Sequence, residues 1–170
     1  MSLLIINTLP EDDAEAVKAI EKLSEVSDNV KVVNTCEMNI MHCTGCNKCM
    51  IENPGVCCLN DDYNDIAQLF FKYDNIIFIA DTEMNFLSYK AMRFFERRYC
   101  FVIVYSEWRN GQIRHPSRYS KEFNIGVLYK GEADNTMLNS WLDLYVDHFS
   151  DKSLGTFHLA DIEEAIKCMF

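Results

Sequence analysis

Continuous apolar runs alternate with amphipathic stretches along the chain. The runs Leu3–Ile6 and Ile76–Ala80 contain no polar residue, which is typical of strands buried on both faces of a parallel sheet. Further short segments are rich in β-branched or aromatic residues, which pack well on a pleated surface. These segments are Val30–Val33, Ile125–Tyr129 and Thr156–Leu159. The pattern therefore predicts five strands.

Between these runs, apolar residues recur every three or four positions, as on one face of a helix. Val17, Ile20 and Leu23 mark the first such helix. Four more helices are predicted after Asp61 and Asp62, after Ser88, over 137–145 and after Asp161. Strands that alternate with helices indicate an α/β fold with a doubly wound parallel sheet and helices on both faces. Phe101–Tyr105 fits either a strand or a buried loop.

The length and the charge of the chain narrow the classes of function. The chain has 170 residues and a formal net charge of −10. At about 150 residues per domain, this length predicts one domain over residues 1–170. The acidic balance opposes general nucleic-acid binding, no apolar run is long enough to span a membrane, and the first residues do not read as a signal peptide. We therefore expect a cytoplasmic protein that binds neither nucleic acid nor membranes.

Basic residues are concentrated in one stretch. Residues 90–121 hold eight of the sixteen basic residues, including all six arginines, and only two acids. A predicted basic loop over 106–123 overlaps the second half of this stretch. Arginine matches phosphates and carboxylates, so the stretch fits an anion site for a nicotinamide dinucleotide phosphate or for an acidic partner. The alternative, which we favour, is that Arg93, Glu96 and Arg97 form a solvated helix face.

Cysteines carry the strongest chemical signal. Five of the eight lie in a predicted cysteine-rich loop over 38–60. Four of these five follow the spacing Cys43-x2-Cys46-x2-Cys49-x7-Cys57. Two-residue spacings let thiolates converge on one centre, and soft thiolates select zinc or an iron–sulfur cluster. Three close cysteines and a more distant fourth suit an iron–sulfur cluster better than zinc.

The cysteine pattern also has a simpler interpretation. Reduced, partly buried thiols are common in proteins of a reducing compartment, and disulfides are less expected there. The spacing alone therefore leaves a metal site and a loop of free thiols open. The remaining cysteines lie in apolar segments, and we expect Cys36, Cys100 and Cys168 in the core.

The cysteine loop and its surroundings resemble a known family. The residues that carry the resemblance are Cys43-Thr44-Gly45-Cys46-Asn47-Lys48-Cys49, Asn53–Cys57, and Asp61 and Asp62 before a helix. They are similar to the NAD(P)H-dependent FMN reductase and iron–sulfur flavoprotein family. The resemblance covers roughly residues 1–130. It implies a flavodoxin-like three-layer sandwich with strand order 2-1-3-4-5 and with flavin at the carboxyl ends of the strands.

The resemblance also implies an activity. FMN would take hydride from a nicotinamide dinucleotide and pass electrons to a small acceptor or to an iron–sulfur centre. The candidate flavin-binding residues are Asn7, Thr8, Asp81, Thr82, Phe86 and Ser88, and the candidate cluster ligands are Cys43, Cys46, Cys49 and Cys57. No catalytic residue is assigned. Family members place flavin sites near subunit contacts, which implies a homodimer or a homotetramer.

The sequence departs from this family at both flavin loops. After the first strand it has Pro10-Glu11-Asp12-Asp13, where the family has Ser, Gly, Asn and Thr. Successive carboxylates repel a phosphate at a helix N-terminus. After the third strand, the glycines and the aromatic pair of the family are missing. A flavin-free binding or assembly module, with or without a stabilising metal, is therefore the alternative function, and a zinc-stabilised structural domain is a third.

Overall fold

A computed structural model describes all residues of the chain, 1–170, and contains eight strands and six α-helices. The strands are β1 (Ser2–Asn7), β2 (Asn29–Asn34), β3 (Asn75–Glu83), β4 (Phe86–Leu87), β5 (Glu107–Arg109), β6 (Gln112–Arg114), β7 (Asn124–Lys130) and β8 (Lys152–His158). The helices are α1 (Ala14–Glu25), α2 (Lys48–Ile51), α3 (Tyr63–Phe70), α4 (Tyr89–Arg97), α5 (Asn135–Phe149) and α6 (Ile162–Met169). None of these helices is long and apolar enough to cross a membrane.

The central sheet has five parallel strands in the order β2-β1-β3-β7-β8. These are the five predicted strands, so the predicted order 2-1-3-4-5 is confirmed. The short strand β4 pairs antiparallel with the end of β3. Strands β5 and β6 form a separate two-stranded sheet.

Helices cover both faces of the sheet. Leu4 and Ile6 of β1 pack on the face that carries α3, α4 and α5. Leu3 and Ile5 point to the opposite face, which carries α1 and α6. All four side chains are fully buried, because successive residues of a strand alternate between the two faces. The protein therefore has the predicted three-layer, flavodoxin-like α/β fold.

The segment after α4 differs from a simple strand or loop. A 3₁₀ turn spans Arg98–Phe101, and Val102 then forms a single antiparallel bridge with Ser117. Phe101–Tyr105 is therefore not a strand of the sheet. The predicted basic loop 106–123 contains the hairpin β5–β6. Likewise, the cysteine-rich loop 38–60 contains the short helix α2.

The arginines of α4 are buried, and the expectation of a solvated face is wrong for them. Arg93 and Arg97 are 7% and 2% exposed. Arg93 donates hydrogen bonds to the carbonyl oxygens of Ile40 and Thr35, at 2.9 and 3.3 Å. The chain after β2 thus crosses α4, and its carbonyl groups take up the cation. Glu96 between them is exposed.

The three cysteines that were expected in the core have different environments. Cys100 is buried and Cys36 is partly buried. Cys168 is exposed, so that expectation is wrong. It lies on the last turn of α6, where Ala165 and Met169 provide the buried face.

Candidate functional site

A cavity of about 550 Å³ lies between the cysteine-rich loop, the end of α4 and the segment that follows it. We call it the cysteine pocket, because its lining includes Cys43, Cys46, Cys49, Cys57 and Cys58. Glu96, Arg97, Tyr99 and His115 also line it. The fold therefore brings the four cysteines of the predicted ligand set to one cavity, together with a fifth.

Two left-handed residues bend the loop around the pocket. Gly45 and Asn47 have φ values of +66° and +57°, a region that favours glycine and tolerates asparagine. Helix α2 begins directly afterwards and carries Cys49. The carbonyl oxygen of Cys49 then accepts a hydrogen bond from the Gly55 N–H, at 3.0 Å. These turns fold the loop back on itself, so that its early and late cysteines meet.

The late part of the loop is fixed to α3 through Cys57. The Cys57 N–H donates to the side-chain oxygen of Asn64 at 3.0 Å, and the Asn64 amide donates to the Cys57 carbonyl at 2.9 Å. By contrast, residues 41–48 are all exposed. The pocket thus combines an anchored cysteine with an early segment that is less constrained by packing.

An ion pair holds the two ends of the loop to α4. Both terminal nitrogens of Arg97 donate hydrogen bonds to the carboxylate of Asp61, and the Nη2–Oδ1 distance is 2.9 Å. The Met41 N–H donates to the same carboxylate at 2.8 Å. Burial alone raises the pKa of Asp61, but Arg97 and the Met41 N–H more than offset this and hold the pKa below its ordinary value.

The thiols of the pocket are not equivalent. Hydrogen bonds, first from the Lys48 N–H and then from the Thr44 side chain, lower the pKa of Cys46. Its sulfur lies 3.6 Å from that of Cys58, and this contact raises the pKa of Cys58. Burial, followed by charge on the other cysteines of the pocket, raises the pKa of Cys49 to about 11. Cys46 and Cys49, two thiols of the predicted ligand set, thus differ in how readily they become thiolates.

The pocket has the donor chemistry of a soft-metal site but not a finished coordination sphere. Nowhere in residues 1–170 do three or more His, Cys, Asp or Glu side chains already stand in place around a metal position. Thiolates at these spacings suit zinc or an iron–sulfur cluster. Burial lowers the pKa of Arg97, but hydrogen bonds first with Asp61 and then with Cys57 more than offset this and raise it. The charge of this guanidinium is paired with Asp61, and Cys57 lies within hydrogen-bonding reach beside it.

At the carboxyl end of β1, the two candidate phosphate contacts are used within the chain. Asn7 donates to the side chain of Asn34 at 3.1 Å and accepts from the Leu9 N–H at 3.1 Å. Thr8 donates its N–H and its hydroxyl to the carbonyl of Ile79, at 2.8 and 3.1 Å. Both residues are fully buried, so neither offers a free donor to a ligand.

The N-terminus of α1 is closed by a carboxylate. Asp13 accepts hydrogen bonds from the N–H groups of Glu15 and Ala16, both at 3.1 Å, and pairs with Lys130 at 2.7 Å. The neighbouring cavity, of about 420 Å³, is lined in part by the carboxylates of Glu11, Asp12 and Glu37. A helix N-terminus normally attracts phosphate, but here an internal carboxylate takes that place. This arrangement does not fit the phosphate of FMN.

The loop after β3 is a tight hairpin. Its turn residues Met84 and Asn85 both have left-handed backbone conformations. Phe86, at the start of β4, packs edge-to-face on Trp141 of α5, with ring centroids 5.2 Å apart. The aromatic ring that the sequence offered for flavin stacking is therefore packed against the protein.

The polar candidates of this loop are also engaged. The Ser88 hydroxyl donates to the carboxylate of Asp81, and its oxygen accepts no hydrogen bond from the N–H groups of the helix that follows. Thr82 donates to the carbonyl oxygen of Lys130, at 3.2 Å. The six candidate flavin residues thus lie at or after the carboxyl ends of β1 and β3, and the contacts described for them are internal.

The fold defines the class of protein, which is flavodoxin-like. No family model matches the sequence, and no curated protein matches it. Among solved structures, the NAD(P)H:quinone oxidoreductase from Methanothermobacter marburgensis is similar, with a TM-score of 0.65, 14% identity, and coverage of 99% of this chain and 95% of that one.

Two further solved structures are similar to this chain. A flavone reductase has a TM-score of 0.63 and 13% identity, and covers 99% of this chain. This chain spans only 59% of the length of that protein. An FMN-dependent NADH-azoreductase from Bacillus anthracis, in complex with FMN, has a TM-score of 0.56 and 12% identity, with coverage of 99% and 94%. At these identities the likeness establishes the fold.

Two features of the pocket could not be predicted from the sequence. These are the contact between Cys46 and Cys58 and the position of Arg97 beside Cys57. Both depend on how the loop folds back over α4, which no local pattern encodes.

Proposed function

We propose that this chain is a redox protein of flavodoxin-like fold whose electron-carrying group is held in the cysteine pocket. The observation that carries the proposal is that five cysteines line one cavity. Structures of the same fold belong to reductases, which supports a redox role in general terms.

The ligands in this proposal are Cys43, Cys46, Cys49 and Cys57, and the group is an iron–sulfur cluster. Such a cluster carries one electron at a time, at a potential set by nearby charge and hydrogen bonds. Arg97 is paired with Asp61, lies beside Cys57 and directs a hydrogen bond toward it. The Lys48 N–H already donates toward the sulfur of Cys46. Zinc is the alternative occupant, and it would make the pocket a structural site.

The second candidate is an FMN-dependent NAD(P)H oxidoreductase that passes electrons to a small acceptor or to the iron–sulfur centre. The fold of the similar structures favours it, since one of them was solved with FMN. Its partners would be a nicotinamide dinucleotide and the acceptor. It needs a phosphate contact other than the one closed by Asp13. In either case we propose a cytoplasmic, single-domain chain that assembles as a homodimer or homotetramer.

Two measurements on protein purified without oxygen separate these candidates: its absorbance spectrum and its metal content. A broad band at about 400 nm that bleaches on reduction identifies an iron–sulfur cluster. Bands near about 375 and 450 nm identify oxidised flavin. A colourless protein with one zinc per chain identifies the structural site.

Cysteine variants test the ligand assignment. We expect Cys43→Ser and Cys46→Ser each to lose bound metal, while Cys168→Ser, an exposed cysteine on α6, keeps it. Protein that holds no iron, zinc or flavin, even after anaerobic reconstitution, would overturn both candidate functions. Unchanged metal content in the first two variants would overturn the ligand set.

A further inference from the structure

We propose that Cys46 and Cys58 form a reversible disulfide by exchange with small-molecule disulfides. Cys58 lies outside the proposed ligand set, so this is a modification site beyond the proposed function. Its further consequence, the withdrawal of Cys46 from the metal ligands, rests on that function.

The two sulfurs are already in contact. They lie 3.6 Å apart, and one thiol donates a hydrogen bond to the other. A disulfide requires a sulfur–sulfur distance of about 2.05 Å, so bond formation needs the sulfurs to approach by about 1.5 Å. This is the one thiol–thiol hydrogen bond among the eight cysteines. Both residues are exposed, which gives a small oxidant direct access.

The backbone on each side of the contact favours this pairing. Cys46 lies between the left-handed residues Gly45 and Asn47, in the exposed part of the loop. Cys58 follows Cys57, whose peptide groups are fixed by Asn64. A less constrained cysteine therefore faces an anchored one. The segment that carries Cys46 is the exposed one, and it is the one free to move as the sulfurs approach.

The adjacent cysteines Cys57 and Cys58 have different surroundings. Cys57 is partly buried, and Asn64 holds both its N–H and its carbonyl oxygen. Cys58 is exposed and contacts Cys46. Both residues line the pocket, but only Cys58 is exposed and has another cysteine in contact. Because Cys57 is the fourth proposed metal ligand, Cys58 remains available for a different reaction.

The reaction balances as a two-electron thiol–disulfide exchange. One thiolate of the pair attacks a sulfur of glutathione disulfide, forms a mixed disulfide and releases one glutathione thiolate. The second thiolate of the pair attacks the protein sulfur of that mixed disulfide, which forms the Cys46–Cys58 bond and releases the second glutathione. The two protein thiols lose two electrons and two protons, and the glutathione disulfide gains them.

Peptide mapping tests the pairing. Trypsin separates Cys46, in the peptide over residues 32–48, from Cys58, in the peptide over residues 49–72. The metal-free protein is incubated with glutathione disulfide, free thiols are alkylated, and the digest is analysed by mass spectrometry. We expect one cross-link between these two peptides, and fragmentation should place it at Cys46 and Cys58. A different pairing, or no cross-link, overturns the proposal.

Variants sharpen the assignment. In Cys58→Ser we expect no cross-link and a trapped glutathione adduct on the peptide over residues 32–48. The matched control Cys57→Ser, one position earlier, should keep the cross-link. An equally abundant cross-link in Cys58→Ser would overturn the proposal. The fragmentation spectrum of the unchanged protein decides the pairing even if a variant folds poorly.

A second measurement tests the consequence for the metal. We expect oxidised protein with the single cross-link to take up zinc about tenfold less than reduced protein, and dithiothreitol to restore the uptake. If reduced protein takes up no metal, the metal-binding proposal fails, and the peptide map alone decides the disulfide. If oxidised and reduced protein take up zinc equally, the withdrawal of Cys46 is refuted while the disulfide stands.

Discussion

Arg97 and Asp61 form a two-pronged ion pair from which solvent is excluded, with both side chains 0% exposed. The guanidinium of Arg97 also lies over the ring of Tyr63, at 4.1 Å from its centroid. Through the Met41 N–H and carbonyl, the same pair holds the backbone at the start of the cysteine loop. The stability of the fold and the shape of the cysteine pocket therefore depend on one interaction.

Asp61→Asn is expected to lower the free energy of unfolding by about 3 to 5 kcal/mol, because it leaves the charge of Arg97 buried without its counter-charge. Urea unfolding measures this change. The control is Asp65→Asn, an exposed position on α3, which should change stability by less than about 0.5 kcal/mol. Equal, small effects of the two substitutions would show that the ion pair contributes little.

The same carboxylate predicts a pH dependence. The pKa of Asp61 is lower in the folded protein than in the unfolded chain, so its contribution to stability is fully present above about pH 4. This contribution is lost as the pH falls from about 4 toward the folded pKa. We therefore expect the stability of Asp61→Asn to fall less steeply over this window. Parallel curves for the two proteins would contradict the assignment.

A second buried pair joins the end of α4 to the start of β8. Arg98 donates to the carboxylate of Asp151, which also accepts from the Phe123 N–H at 2.9 Å. Aromatic rings surround this guanidinium, and Phe149 is the nearest at 4.5 Å from its centroid. The cation is thus enclosed by rings and by one carboxylate.

Arg98→Met should destabilise the protein by about 3 to 5 kcal/mol, because it removes the counter-charge of Asp151, a carboxyl group whose pKa is already raised by burial. The double variant Arg98→Met, Asp151→Asn should recover most of this loss, since methionine suits the aromatic surroundings and asparagine still accepts from the Phe123 N–H. Chemical denaturation of all four proteins in the cycle measures the coupling. A double variant no more stable than Arg98→Met would show that the carboxylate charge is not the cause.

The five strands of the sheet were predictable from the sequence, because strands such as Leu3–Ile6 and Ile76–Ala80 are buried on both faces and have unbroken apolar sequences. The order of the strands was implied by the family resemblance and not by these runs. The position of the cysteine loop followed from its place between two such strands. The strands and the place of the loop between them are encoded locally, in the residues of each segment. Burial of a strand on both faces leaves no ambiguity about which residues face the core.

The buried arginines were not predictable, because charged residues are rarely fully buried and helical periodicity places them on the solvent side. Arg97 is buried because Asp61, 36 positions away, meets it. The carboxylate of Asp13 was visible in the sequence as a poor phosphate neighbour. Its partner Lys130, 117 positions away, was not. In both cases the deciding contact is between distant segments.

Met84 is expected to strain the hairpin between β3 and β4. Its φ is +52°, a conformation that costs a residue with a large side chain about 1 to 2 kcal/mol, and its side chain is 99% exposed, so packing does not offset the cost. Met84→Asn should raise the free energy of unfolding by about 0.5 to 1 kcal/mol, because asparagine tolerates this region. Thermal unfolding measures it, with Met84→Val as the destabilising control. A more stable valine variant would contradict the left-handed turn.

The carboxylates beside α1 predict the relative affinity of the protein for FMN and for riboflavin, which lacks the phosphate. Glu11 and Asp12 are exposed and line the cavity at the carboxyl ends of β1 and β2. A carboxylate about 5 Å from a phosphate charge costs about 3 kcal/mol at an effective dielectric of about 20. We therefore expect the unchanged protein to bind FMN no more tightly than riboflavin, as measured by quenching of flavin fluorescence.

Neutralising these two side chains should reveal the repulsion. In Glu11→Gln, Asp12→Asn, the affinity for FMN relative to riboflavin is expected to rise about tenfold, which corresponds to about 1.4 kcal/mol. The matched control is Glu25→Gln, Asp28→Asn, which removes the same charges at the other end of α1 and should leave the ratio unchanged. Asp13 is kept in both variants, because it caps the helix. If the unchanged protein already prefers FMN by about tenfold, its phosphate has a site that the carboxylates do not oppose, and the FMN-dependent reductase becomes the better function.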